Sequence, residues 1–302
     1  MKAGHFKLIG LDIEGDWNKP LLANAAAMSG FQCDLARSEP PLNAGGCESA
    51  GSLSLETALD GCCHIIACET TRSSVSIYDF PAPRDRTAVI VGNEKNGIPR
   101  RVLKQADTVV SIPMAQTGLS SINVAAAAAI TLYAFTGDLG RKRRLRSGLR
   151  QQDVDVWIEA PADPNELGSL LRSAYAFGWR RVFLSDPHRV WFTEDRRVIL
   201  ESRAAARRAG NLLAVLPAEK LDPSRYDALL MCDGNRQGSP LSRLRLPECR
   251  RLLVVFGTSD WAINCGLSAA DVTVDYADRT VPARFRHAGS ILLSVIHQML
   301  GA

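Results

Sequence analysis

The 302-residue chain is poor in aromatic residues (6%) and holds only five histidines, and just 7 of its 36 cations are lysine. Eight cysteines, at positions 33, 47, 62, 63, 68, 232, 249 and 265, never form a C-x-x-C pair. Scarce histidine and scattered cysteine leave no ligand spacing for a metal, so none is expected, and the thiols read as reduced and mostly buried. No apolar run approaches the roughly 20 residues of a membrane helix. The longest, Asn123–Phe135, is short and rich in alanine, so no membrane association is expected. The N-terminus meets acidic residues by Asp12 and lacks an apolar stretch of signal-peptide length, which predicts a cytoplasmic protein. With 46% hydrophobic and 23% charged residues the composition is globular, excluding disorder, collagen and coiled coil. Its length suits two domains.

The small net charge of +4 is unevenly placed. Residues 1–140 carry a net −3 and residues 151–302 a net +1, while the ten residues RKRRLRSGLR (Arg141–Arg150) carry +6 with no acid. Arginine dominates the cations, as suits planar, bidentate partners such as phosphate, although codon usage explains the same bias. The stretch reads either as a phosphate-gripping strap or as a solvated linker.

Short apolar runs mark candidate buried strands: Lys7–Ile13, His64–Glu69, Thr87–Gly92 and Thr108–Met114. A helical pattern, Pro20–Phe31, lies between the first two. After the basic stretch the cadence restarts with Val154–Ala160, the helix Asn165–Trp179, Arg181–Asp186, a long helix around Glu194–Ala209, then Leu212–Leu216, Ala228–Cys232, Arg251–Gly257, Asp271–Tyr276 and a closing helix near Gly289–Leu300. Valine- and isoleucine-rich strands without two-residue polarity, alternating with helices, predict parallel sheets covered on both faces.

The two halves also resemble each other. IVGNEKNGI (Ile90–Ile98) aligns with VFGTSDWAI (Val255–Ile263), ADTVVSI (Ala106–Ile112) with ADVTVDY (Ala270–Tyr276), and SSINVAAAAAITL (Ser120–Leu132) with RFRHAGSILLSVI (Arg284–Ile296). The helix PLLANAAAMSGF pairs with GSLLRSAYAFGW through Gly30 and Gly178. This pattern predicts a tandem duplication of one α/β unit: domains at 1–140 and 151–302, joined by the linker 141–150.

The strongest chemical signal runs from Val91 to Ile130. Gly92 directly after a buried strand admits close approach of a ligand to the backbone, and Asn93 and Glu94 follow at the carboxyl end, where open α/β sheets bind ligands. Ser120, Ser121 and Asn123 open a helix and are natural N-caps; on pattern alone an ordinary strand, loop and capped helix fits equally well.

As an ordered set, GNEKNGIP, SIPM and SSINVAAAAA resemble the second and third motifs of the SpoU (TrmH-type) branch of the SPOUT RNA methyltransferases. The resemblance implies a trefoil knot in the N-terminal domain, S-adenosylmethionine as cofactor, and methyl transfer to a ribose 2′-hydroxyl of tRNA or rRNA. It places cofactor contacts on Gly92, Asn93, Ile112, Met114, Ser121 and Ile122, and active-site polar roles on Glu94 and Asn123.

The family's first motif, an Asn followed seven residues later by an Arg on a helix, is damaged in the N-terminal half, where the Arg position falls on Asn24 or Ala25. The C-terminal half keeps it as Asn165 and Arg172, but there Thr258, Ser259 and Ala262 replace the second motif, His287 stands in place of Asn123, and Tyr276-Ala277 replace the Ile-Pro of the knot loop. Family members act as homodimers with the site at the subunit interface. The complementary losses therefore imply a covalent pseudo-dimer with one composite site, catalysed by Arg172, Glu94, Asn123 and Asn165, in a monomeric chain whose further oligomerisation is left open. The alternative is a decayed C-terminal scaffold. Two rival functions stand beside transfer to ribose: an RNA-binding protein with a relic cofactor pocket, and base methylation.

Weaker features are the GGCESAG segment (Gly45–Gly51), read as a mobile loop because no G-K-[ST] follows, and Arg203, Arg207 and Arg208 at helical spacing, read as a solvated face.

Overall fold

The computed structural model describes residues 6–39, 52–81, 83, 86–115, 121–136, 148–203, 213–232, 238–257, 268–278 and 280–301. The chain forms two compact units. Unit 1 comprises residues 1–113, 123–141 and 276–282; unit 2 comprises 114–122, 142–275 and 283–302. Each therefore includes a short segment from the other half of the sequence.

Unit 1 holds a seven-stranded sheet of β1 (Phe6–Leu11), β2 (Gln32–Arg37), β3 (Leu53–Ser54), β4 (His64–Cys68), β5 (Val75–Ser76), β6 (Thr87–Val91) and β7 (Thr108–Ser111), in the order β3-β2-β1-β6-β4-β7-β5. Unit 2 repeats it with β8 (Val154–Glu159), β9 (Arg181–Ser185), β10 (Ala214–Pro217), β11 (Ala228–Cys232), β12 (Ser239–Pro240), β13 (Leu252–Phe256) and β14 (Ser268–Thr273), in the order β10-β9-β8-β13-β11-β14-β12. Position for position the two orders are the same. Every pairing between these strands is parallel. All five residues of β6 and of β13 are buried, the reason their sequences are unbroken apolar runs without alternation.

The helices of unit 1 are α1 (Asn18–Met28), α2 (Leu55–Leu59), α3 (Arg100–Leu103) and α4 (Val124–Thr136). Helix α4 buries Ala125, Ala126, Ala128 and Ala129 on successive turns, and these small side chains let it lie close to α1. Gly10 of β1 makes similar room: a Cβ there would stand 2.9 Å from Leu22 of α1 and 3.0 Å from Leu35 of β2.

Unit 2 has α5 (Pro164–Ala176), a helical turn α6 (Arg196–Val198) that passes directly into a π-turn at Ile199–Arg203, and α7 (Phe285–Met299). Asp163 caps α5 by accepting the Asn165 N–H at 2.8 Å, with Pro164 preset at the first helical position. Helix α7 packs on α5 across Gly289, where a Cβ would come within 2.6 Å of Leu170, and across a buried Ser173–Ser290 hydroxyl pair at 2.7 Å. At the head of both helices the Arg286 Nε and main-chain N–H donate to the Glu166 carboxylate at 2.9 and 2.8 Å, with side chains 1% and 8% exposed.

The long helix expected around Glu194–Ala209 is described only to Arg203, as α6 and the π-turn; Arg207 and Arg208, the GGCESAG segment and most of the basic stretch lie outside the described residues. Strands β2, β3, β5 and β12 were not anticipated. The first mixes polar and apolar residues beside a sheet edge, and the others are two residues long. Among the described residues no helix is long and apolar enough to cross a membrane, and no group of three His, Cys, Asp or Glu is placed to hold a metal ion.

Two tests follow from α7. Removing one partner of a buried ion pair strands the other, so Glu166→Ala should cost about 3–5 kcal/mol in urea unfolding, much of it recovered by the apolar pair Glu166→Met/Arg286→Leu. Burial pushes the His297 imidazole down to about 4, and burial together with Arg286 and Arg284 pushes His287 down to about 3. Unfolded, both bind a proton near pH 6.5, so stability is full above that pH and is lost as the pH falls toward 4. The unfolding midpoint should drop across this window, and His297→Leu should remove up to about 3 kcal/mol of the dependence.

Candidate active site

In unit 1 the chain leaves β6 through Gly92 into a five-residue loop closed by hydrogen bonds between Asn93 and Gly97, N to O at 3.2 Å and O to N at 2.9 Å. The loop dictates both its glycines. A Cβ on Gly92 would stand 2.4 Å from the Gly97 carbonyl carbon. Gly97 has a φ of +65°, and a Cβ there would stand 2.3 Å from Glu69 Oε2, the oxygen that accepts the Ile98 N–H at 2.9 Å. Asn93 stiffens the turn: its Oδ1 accepts the N–H groups of Lys95 and Asn96 at 2.9 and 3.1 Å, while its Nδ2 donates to the Asp12 carbonyl at 2.6 Å.

This anchoring aims Glu94 at the loop between β1 and α1. Its carboxylate accepts from Asn18 Nδ2 at 2.6 Å, Gly15 N at 3.1 Å and Glu14 N at 3.2 Å. Burial raises the carboxyl, and these donors outweigh it, holding its pKa below the ordinary glutamate value. Asn18, 1% exposed, accepts in turn from Asn123 Nδ2 at 3.2 Å. Asn123, 3% exposed, caps α4 by accepting the Ala125 N–H at 2.9 Å. Glu94 and Asn123 are thus brought together through a residue that the site expectations omitted. Asn18 had no signal: in the helix alignment through Gly30 and Gly178 it falls on Glu166, not on Asn165. Glu69, which braces Gly97, had none beyond its place after an apolar run.

Ile112, buried, follows β7 and precedes Pro113 in unit 1, whereas Met114, Ser121 and Ile122 group with unit 2. There Arg172 of α5 donates from Nη2 to Ser121 Oγ at 2.9 Å and from Nε to the Ser121 carbonyl at 3.3 Å. Its Nη1 meets Glu201 of the π-turn at 3.4 Å, where Gly168 leaves room for the Glu201 side chain. Asn165 lies in the first turn of α5, seven residues before Arg172 and so on nearly the same helix face. The Ala115 N–H donates to the Ala176 carbonyl at 3.0 Å, an approach that Gly178 permits, since a Cβ there would stand 2.9 Å from Ala115.

Unit 1 contains the same bonds in other residues. The Asp278 N–H donates to the Met28 carbonyl at 3.0 Å, and Asn24 Nδ2 to the Pro282 carbonyl at 3.2 Å. Met28 matches Ala176 in the helix alignment, which makes Asn24, not Ala25, the counterpart of Arg172. The heads of the helices differ: Asn18 and Asn123 link α1 to α4 where Glu166 and Arg286 link α5 to α7. Thr258, Ser259 and Ala262 lie outside the described residues.

Together these features define an α/β protein with duplicated sheet topology and a polar network at the carboxyl end of one central strand. Residues 52–133 match the SpoU rRNA Methylase family. Eight of the ten expected site residues fall inside that segment; Asn165 and Arg172 fall outside it. Similar solved structures include a probable methylase family protein from Haemophilus influenzae Rd KW20, at 20% identity over 43% of this chain and 64% of that one, with a TM-score of 0.36. A TrmH/SpoU tRNA modifying enzyme from A. aeolicus shares 19% identity over 43% of this chain and 73% of that one, TM-score 0.34. An AdoMet-bound rRNA methyltransferase from Sinorhizobium meliloti shares 16% over 44% and 56%, TM-score 0.36. The chain thus spans less than two thirds of the first and last of these proteins. No curated protein sequence matches it.

Asn18→Ala should raise the Glu94 pKa, because it removes the shortest donor to the charged form. Side-chain carboxyl NMR titration measures this, and an unmoved Glu94 titration would sever the proposed link.

Proposed function

We propose that the protein is an S-adenosylmethionine-dependent RNA methyltransferase acting on a ribose 2′-hydroxyl, with one composite site in a single chain that stands in for a homodimer. The observation that carries this is the pair of bonds from Arg172 to Ser121: the arginine of the first motif, kept only in the C-terminal half, holds a residue of the third motif, kept only in the N-terminal half. Matching strand orders and the equivalent Asp278–Met28 and Ala115–Ala176 bonds support descent by tandem duplication. The domain that carries the second and third motifs is proposed to be knotted, as in the family it resembles.

Gly92, Asn93, Ile112, Met114, Ser121 and Ile122 would hold the cofactor. The set suits it: a glycine that leaves the main chain open to close approach, and apolar side chains near strand ends against which a nucleoside can pack. When bound, S-adenosylmethionine supplies an activated methyl group. A ribose hydroxyl is a weak nucleophile, so the protein must align the 2′-oxygen and help its proton away. Arg172, with a guanidinium that stays protonated in proteins, suits orientation of that oxygen and the adjoining phosphate. Glu94 already accepts three N–H groups and is held in its charged form, which suits it to fixing the 12–18 loop better than to taking a proton. Asn123 and Asn165 complete the polar frame at the heads of α4 and α5.

Arg172→Ala should lower methyl transfer to hypomethylated total RNA by at least about 10²-fold, a typical cost for losing a transition-state contact, with cofactor affinity unchanged. Radiolabelled transfer and calorimetric cofactor titration measure the two. Retained transfer overturns the composite site, and a base-methylated nucleoside in place of a 2′-O-methylnucleoside overturns the ribose assignment.

A further inference from the structure

Strands β9, β8 and β13 lie side by side, and their starting ends form one edge of the second sheet. Arginines crowd it: Arg180 and Arg181 at the start of β9, Arg250 and Arg251 at the start of β13, and Arg150 just ahead of β8. Asp155, 4% exposed, organises two of them. Arg181 Nη2 donates to both of its oxygens at 2.7 Å and Arg251 Nη2 to Oδ2 at 3.0 Å, with the Tyr226 hydroxyl donating to Oδ2 at 2.7 Å. Each guanidinium also lies 5.7 Å from a ring centroid, Arg181 from Phe183 and Arg251 from Tyr226.

One carboxylate thus serves two fixed guanidiniums, which stay 36% and 31% exposed. The other acids at the edge are committed as well. Asp153 accepts from the Arg150 main chain and Nε at 3.0 and 3.1 Å, and Asp227 from the N–H groups of Arg250 and Arg251 at 2.9 Å each. Five guanidiniums face Asp153, Asp155 and Asp227, and the edge stays cationic when exposed Glu248 is added. Arg150 is also the last residue of the +6 stretch, which ties that charge in sequence to this edge.

Planar guanidiniums locked in place with free edges toward solvent are bidentate phosphate ligands. We propose that this edge binds the phosphate backbone of the substrate RNA, an inference that rests on RNA being the substrate. The six residues of β8 put roughly 20 Å between this edge and the strand end that leads to Asn165, a span that a tRNA covers and that a stacked five-nucleotide strand, at about 3.4 Å per nucleotide, does not.

The test uses the full-length chain, labelled bulk tRNA and a labelled five-nucleotide oligomer, with binding followed across about 50–200 mM salt. Arg180 and Arg250 are exposed, so the double variant Arg180→Glu/Arg250→Glu should keep the wild-type thermal midpoint, and Arg180→Gln/Arg250→Gln provides a milder second pair. Expected are at least about tenfold weaker tRNA binding and a salt slope shallower by about 2, with little change for the oligomer. Unchanged tRNA affinity and slope in a folded variant overturn the surface, and if the wild type still methylates RNA the enzyme reading stands. Loss of binding to phosphatidylserine vesicles with tRNA binding intact overturns it in favour of a membrane. A wild type that neither binds nor methylates RNA sinks both.

Discussion

A parallel sheet covered on both faces has no wet surface of its own, and this constraint arranges everything else in the molecule. Strands such as Thr87–Val91 and Leu252–Phe256 are buried along their whole length, so polar chemistry can emerge only where strands begin or end. At the carboxyl end of β6 it emerges as Asn93 and Glu94. At the starting ends of β8, β9 and β13 it emerges as an arginine row knitted by Asp155. Both polar ends are braced by carboxylates that accept several donors each, the cheapest way to keep a charge in place at the margin of an apolar layer.

The two units solve the same packing problem with different chemistry. Each must join the head of the helix after its first strand to the head of its last helix. Unit 1 uses a neutral link from Asn18 to Asn123, and Asn18 also donates to the charged Glu94. Unit 2 uses the Glu166–Arg286 ion pair, sealed from solvent. A neutral amide pair can exchange partners at modest cost, whereas a buried ion pair cannot be opened without stranding a charge. The first arrangement suits a site that must admit a ligand, the second a scaffold that must not yield.

Much of the fold was legible because burial on both faces writes itself as unbroken Val, Ile and Leu runs, as in Leu252–Phe256. What escaped was short or mixed: Gln32–Arg37 intersperses polar and apolar residues without a clean period, and the two-residue strands carry no periodicity. Of the site, Gly92, Asn93, Glu94 and Asn123 could be named from their places after a strand or before a helix. The residues that brace them could not, because Asn18 reaches Glu94 from 76 residues away and Glu69 holds the Ile98 N–H from 29 residues away. The bonds from Arg172 to Ser121 span 51 residues, and sequence spacing gives no hint of them.

The make-up of the units has a consequence for synthesis. Unit 1 takes in residues 276–282, where Asp278 bonds Met28 and Pro282 bonds Asn24, so its contact set stays open until those residues have left the ribosome. Domains made in tandem ordinarily fold one after the other as they emerge. Here the first sheet can form early but waits for its final turn, while the second receives residues 114–122 that were translated long before it. Completion of the two units is therefore coupled in time, and a chain cut short before residue 276 would carry an unfinished unit 1.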